Sequence, residues 1–127
     1  MGAGQIDPTI WKIYAAIVTG LSPGLVPVGR ADIALLGNNN IRVPGVGNKI
    51  RLYYISLSAP LTNAADVTVL LKFNATELYK VNLAPGAIWA RNIGAGLKYI
   101  EGAINESFIG NLSAALTVLV SYEYQEL

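Results

Sequence analysis

Most of this chain is written in a period of two, and that alternation restricts it to strands. In "DVTVLLKF" the residues Val67, Val69, Leu71 and Phe73 share one face, while Asp66, Thr68, Leu70 and Lys72 share the other. Successive side chains of an extended chain point to opposite sides, so this is the pattern of a half-buried strand. "NKIRLYYISLS" sets Ile50, Leu52 and Tyr54 against Lys49, Arg51 and Tyr53, and "TELYKVNL" sets Tyr79, Val81 and Leu83 against Leu78, Lys80 and Asn82. Near the end, Leu116, Val118, Val120, Tyr122 and Tyr124 oppose Ala115, Thr117, Leu119, Ser121 and Glu123.

Between these runs stand residues that accept positive φ or preset a turn: "GNNN" at 37–40, "PGVGN" at 44–48, "APLTNAAD" at 59–66, "FNAT" at 73–76 and "APG" at 84–86. Strands recurring at such short spacing predict a sandwich or barrel. "ATELYK" and "LKYIEGAI" are each too short and too close to Gly to favour helix over strand. The expected fold is all-β, a single antiparallel β-sandwich of jelly-roll-like form. Residues 1–28 are expected to form an N-terminal extended arm, with "TIWKIYAAIV" a strand or short helix and "LSPGLVPVG" an extended connection, and residues 29–127 the sandwich.

At 127 residues the chain suits one domain. Only 13% of its residues are charged, where a soluble domain ordinarily carries about 25%. Neutral and apolar groups must therefore cover much of the surface, and such a skin fits an obligate interface. The closing segment "GNLSAALTVLVSYEYQEL" makes the same point locally, because its second face carries Ala, Thr, Leu and Ser in place of charges. It reads as a central strand, covered on one side by the core and on the other by another chain or the arm. A solvated face of small neutral residues is the plainer alternative.

Several chemistries lack their residues. There is no His, hence no Ser-His-Asp triad and no imidazole base or ligand. There is no Cys, hence neither disulfide framework nor thiolate metal site. Carboxylate pairs can be drawn from Asp32 with Asp66 or Glu101 with Glu106, yet both sets sit in turn or strand-edge contexts that suit solvated acids. "GAGLKYIEG" and "PGVGNK" lack the strand–loop–helix frame of a phosphate cradle, and "TNAAD" has one acid where a calcium loop needs several. No catalytic residue, cofactor or metal is expected.

The net charge is +1 and the nine basic residues are spread from Lys12 to Lys98, so no nucleic-acid footprint is present. The apolar runs at 13–29 and 107–122 fall short of a spanning helix, so no membrane association is expected. Asp7 and Pro8 occupy the place where an export signal carries positive charge, and the start reads as mature sequence. Three Asn-x-Ser/Thr triplets begin at Asn74, Asn105 and Asn111; in an Asn-rich chain coincidence accounts for them better than glycosylation.

From Gly37 onward, "GNNNIRVPGVGNKIRLYYISLSA", "DVTVLLKF", "VNLAPGAIW", "NESFIGNLSAALTV" and "SYEYQE" follow one another. Over about 90 residues this text resembles a group of small β-sandwich structural proteins of tailed phages and prophages, capsid decoration proteins among them. The matching positions include Gly47, Lys49, Ile50 and Arg51; Val67, Thr68, Val69 and Phe73; Leu83, Ala84 and Gly86; and Glu106, Asn111, Leu112, Ser113, Ala114 and Ala115. The insertion "PLTNA", the stretch "GLKYI" in place of an aromatic one, and the N-terminal arm depart from that pattern. The resemblance implies a virion component without enzymatic activity.

The chain is thus expected to be a noncatalytic virion structural protein, a capsid decoration or other particle-surface subunit. Its partners would be further copies of itself and a major capsid or other virion protein. Interface candidates are the aromatic and apolar residues Trp11, Ile13, Tyr14, Trp89, Tyr122 and Tyr124. Two other readings stay open: an extracellular filament subunit whose residues 5–18 complete a neighbour's sheet, and a carbohydrate-binding module that stacks sugars on Trp89.

Overall fold

The computed structural model describes residues 27–94 and 98–127. Nine strands and no helix make up these residues: β1 (Val28–Ile33), β2 (Gly37–Arg42), β3 (Ile50–Ser58), β4 (Val67–Phe73), β5 (Thr76–Leu83), β6 (Ile88–Asn92), β7 (Ile100–Glu101), β8 (Phe108–Leu112) and β9 (Val118–Glu126). One sheet runs β1-β9-β3-β6, with the short β7 also on β3, and the other runs β2-β8-β4-β5. All pairs are antiparallel. A five-stranded and a four-stranded sheet connected in this order make a jelly roll, the sandwich expected from the alternation.

The inward sets follow the period of two. Val67, Val69, Leu71 and Phe73 of β4 are buried, and they face Ile50, Leu52, Ile55 and Leu57 of β3 and Val118, Val120 and Tyr122 of β9 in one core. Strand β9 lies between β1 and β3, so its expected central position holds. It starts at Val118, however; residues 113–115 form a bend and 116–117 are irregular, which shortens the strand expected from 115.

Three bulges correct the simple alternation, each nearer the same end of the sandwich. On β3, Leu52 pairs with Tyr124 and Tyr54 with Glu123, so Tyr53 is an extra residue. That insertion flips the phase: Tyr54 leaves the face of Leu52, and Ile55 and Leu57 enter the core. Leu78 is the additional residue of β5 and Ile41 that of β2.

Composition misdirects at two further places. "GNNN" is the start of β2 rather than a turn, because Asn38 pairs with Asn111 and Asn39 with Gly110 on β8. "IWARN", which follows the turn "APG" and shows no clean alternation, is β6, with Leu57 opposite Trp89 on β3. Two glycines make the interior fit. A Cβ at Gly29 would lie inside the Tyr122 ring, and one at Gly110 would meet the Ile33 side chain at 2.6 Å.

Candidate functional site

The strand order gathers the loops into two groups at opposite ends, about 20–30 Å apart by strand length. At one end β1 finishes beside the start of β9, the finish of β3 and the start of β6; in the other sheet β2 starts beside the finish of β8, the start of β4 and the finish of β5. This end carries the loops 34–36, 59–66, 84–87 and 113–117, in which Asp66 is the sole ionisable side chain. We call it the neutral end. Leu35, Leu36 and Leu61 are exposed there, Leu61 at 81%, and Ile88 stands exposed at the adjoining start of β6.

Hydrogen bonds hold these loops in place. The Asn39 side chain turns inward, accepts from Leu35 N at 3.2 Å and donates to Leu35 O at 2.8 Å and Gly37 O at 3.0 Å, which fixes the first loop. Asn63 donates to Thr117 O at 2.9 Å and accepts from Thr117 N at 3.3 Å, tying the second loop to the fourth. Ala59 N donates to Ala87 O, and Gly86 N to Ala59 O, tying the second to the third. Apolar tips on braced backbone are presented without the ordering entropy of a mobile loop.

The opposite end holds the connections 43–49, 74–75 and 102–107 together with Leu127 and the approach to β7. Its tips are Val43, Val46 and Ile104, with Val46 99% exposed. We call it the braced end, because its acids are engaged. The Glu126 carboxylate accepts from Asn48 Nδ2 at 2.9 Å, Gly45 N at 3.0 Å and the Arg42 guanidinium at 3.2 Å. Those contacts, led by Asn48 and then Gly45 N–H, hold it below the usual carboxylate range. Glu101 is likewise lowered, by Arg51 first and by Lys49 at 2.9 Å. Glu106 accepts from Ala103 N at 2.6 Å. Lys98 is exposed and belongs to none of the ion pairs among the described residues.

The interface candidates fare differently. Tyr122 is 2% exposed, at 5.5 Å from Phe108 and 5.3 Å from Tyr124 by ring centroids, so it is a core residue of its own chain and offers no surface to a neighbour. Tyr124 is half-buried, with Arg42 stacked 3.9 Å over its ring. Trp89 is half-buried with its ring 5.4 Å from Tyr79, at the side of the sandwich where β5 meets β6. Trp11, Ile13 and Tyr14 lie outside the described residues, as does most of the expected arm. The exposed apolar tips were missed by sequence reasoning, although the signal was printed in the turns: Leu in "ALLG" and "PLTN", Val in "PGVG".

Three of the carboxylates considered for pairing have partners of their own. Glu101 is bonded to Lys49 and Arg51, Glu106 to a backbone amide of its own turn, and Asp66 accepts from Asn82 at 3.1 Å. Among the described residues no three of His, Cys, Asp and Glu gather as metal ligands. Nor is any helix there long and apolar enough to cross a membrane. The sequon asparagines have local duties. Asn74 and Asn105 adopt positive φ of 45° and 67°, accepting from Ser107 N and Gly47 N, and Asn111 donates to Asn38.

No known family and no curated protein matches the chain. Among solved structures, a subunit described under "Bacillus endospore appendages form a novel family of disulfide-linked pili" is 11% identical, with a TM-score of 0.42 over 78% of this chain and 87% of that one. A pentameric capsid protein isolated from metagenomic phage sequences is 10% identical, with a TM-score of 0.35 over 97% of this chain and 87% of that one. A further structure of a protein so described is 9% identical, with a TM-score of 0.33 over 96% and 78%. The chain is loosely similar in shape to these pilus and capsid subunits.

Proposed function

We propose that the chain is a noncatalytic structural subunit of a virion, a capsid decoration or other particle-surface protein. The observation that carries this reading is the distribution of apolar side chains. Leu61 and Val46 project almost wholly into solvent from opposite ends, on loops the protein takes trouble to fix, while the acids at the second end are engaged by the chain itself. Such tips are costly to leave in water and become favourable at roughly 25 cal/mol per Å² once a neighbour covers them. The resemblance of residues 37–126 to phage structural proteins supplies the particle.

A filament subunit is the second reading, favoured by the placement of apolar tips at both ends of one axis. The glycan-binding reading is weakened, because Tyr79 already occupies one side of the Trp89 ring.

The test is to induce particles from the host that carries the gene, band them by density and identify their proteins by mass spectrometry. The chain should co-band with the particles at a fixed stoichiometry and be released as an intact protein. Its absence from washed particles would overturn the virion assignment.

A further inference from the structure

We infer that two copies of this chain join edge to edge along β6, antiparallel, about a two-fold axis at Ala90. The inference rests on the assembly reading above and adds the surface and its occupant, a second copy.

The hydrogen bonds around β6 decide which of its backbone groups are free. Ala59 N donates to Ala87 O at 3.0 Å and Ile93 N to Tyr53 O at 2.9 Å, in the same register that sets Leu57 opposite Trp89 and Ile55 opposite Arg91. Bonded and non-bonded pairs alternate along an antiparallel ladder, so the odd-numbered residues direct their amides and carbonyls to β3. Those of Ile88, Ala90 and Asn92 point away from the sheet, where no described strand lies beside them. This free stretch is bounded at both ends. Ile93 and Gly94 turn back to Tyr53 O, and Ala87 and Gly86 bond to Ala59, so the midpoint is Ala90.

The remaining edges are guarded. Exposed Arg30 and Asp32 stand on β1, exposed Glu77 and Lys80 with a bulge on β5, and a bulge interrupts β2. Charges and bulges on an edge oppose further pairing. Strand β6 has no bulge, and Ile88, Ala90 and Asn92 on its outer face bring no charge.

The register about Ala90 is self-complementary. With Ala90 opposite Ala90 of the second copy, Ile88 meets Asn92, and since each such pair exchanges two bonds every free group of the edge is satisfied. On the inner face Trp89 meets Arg91 of the second copy as a non-bonded pair, with Cα atoms about 4.5 Å apart. Trp89 is half-buried beside Tyr79, and Arg91 is exposed and belongs to none of the ion pairs among the described residues. A guanidinium over an indole is favourable, and the axis supplies that contact twice. Centring the pair on Arg91 would oppose like charges, and centring it on Trp89 would leave Asn92 without a partner. The contact uses itself up, so it closes as a dimer in which one sheet runs through both copies.

The experiment uses the full-length chain. Sedimentation velocity over rising concentration should show a monomer–dimer equilibrium, and hydrogen exchange on β6 should slow as the dimer forms. Ala90→Pro removes the N–H at the centre of the contact without touching a bond to β3, and should raise the dimer dissociation constant about tenfold or more. Ala90→Lys and Ala90→Asp, at an exposed position, should each stay monomeric, because each sets like charges against one another at the axis. Their equimolar mixture should restore a 1:1 dimer. Unchanged circular dichroism shows that each variant is folded.

An unchanged dimer in Ala90→Pro, or charge variants that dimerise singly and gain nothing on mixing, would place association on another face, removing this contact and leaving the structural role standing. A full-length chain that sediments as a monomer with β6 already protected would show the edge covered by the chain's own residues 1–26, and would overturn the inference. A monomer with β6 unprotected that still co-bands with particles would keep the virion reading and defeat this contact. Failure to co-band as well would defeat both.

Discussion

Tyr122 reaches the interior because Gly29, opposite it on β1, leaves the space a side chain would fill. Gly29→Val should therefore destabilise the protein by about 1–3 kcal/mol, read as a lower urea midpoint with unchanged slope. A neutral outcome would mean the Tyr122 ring has room elsewhere. The sequence placed Tyr122 on the face of Val118 and Val120, and that much was legible. Its depth was not, since it depends on a glycine 93 positions away that only strand pairing brings opposite. Glu126 offers a second test through pH. Its carboxyl is held below the ordinary value of 4.5, so its contribution is fully present above the unfolded pKa and is lost as pH falls through the lower folded one. Glu126→Gln should lose most stability relative to the unaltered protein near neutral pH, with the gap closing below about pH 4.5. A gap that stays constant from pH 7 to pH 3 would show that Glu126 acts by shape and not by charge.

At the scale of elements, the strands legible in advance were those with a clean apolar face, β3, β4, β5 and most of β9. The ones overlooked, β1, β2, β6 and β8, draw their extended form from partners: "GNNN" has poor intrinsic strand preference and is strand only because β8 lies beside it. Bulges were invisible for a related reason. An inserted residue such as Tyr53 is defined by the strand opposite, and the alternation in its own segment reads equally well in either phase. The same topology predicts a rank of amide protection. Strands β9, β3, β8 and β4 have neighbours on both sides, whereas β6 is a five-residue edge with exposed Ile88, Ala90, Arg91 and Asn92. Hydrogen exchange should be slowest for the first group and faster by an order of magnitude or more on β6. Equal protection in the isolated chain would contradict that placement of β6.

For the whole molecule, the buried hydrophobics of the core cluster among the described residues fall between Ile33 and Tyr122. Removing residues 1–18 should therefore preserve a single cooperative unfolding transition and the β-type circular dichroism of the full chain. Loss of folding would favour the reading in which that segment completes a sheet. Scarcity of charge pointed from the start to a surface that neighbours would cover, but no pattern along the chain could say that the apolar turn residues collect at two poles. That depends on the order in which strands exchange sheets. The same order sets Pro27 beside Tyr124, its carbonyl accepting from the Tyr124 amide at 3.0 Å, and ties Leu127 back to Lys49. Entry to and exit from the sandwich are thus neighbours on the braced side. A short linker from Leu127 to Pro27, with a new opening cut in the 59–66 loop, would yield a circular permutant with its strand pairings intact and both new ends at the pole of Leu61.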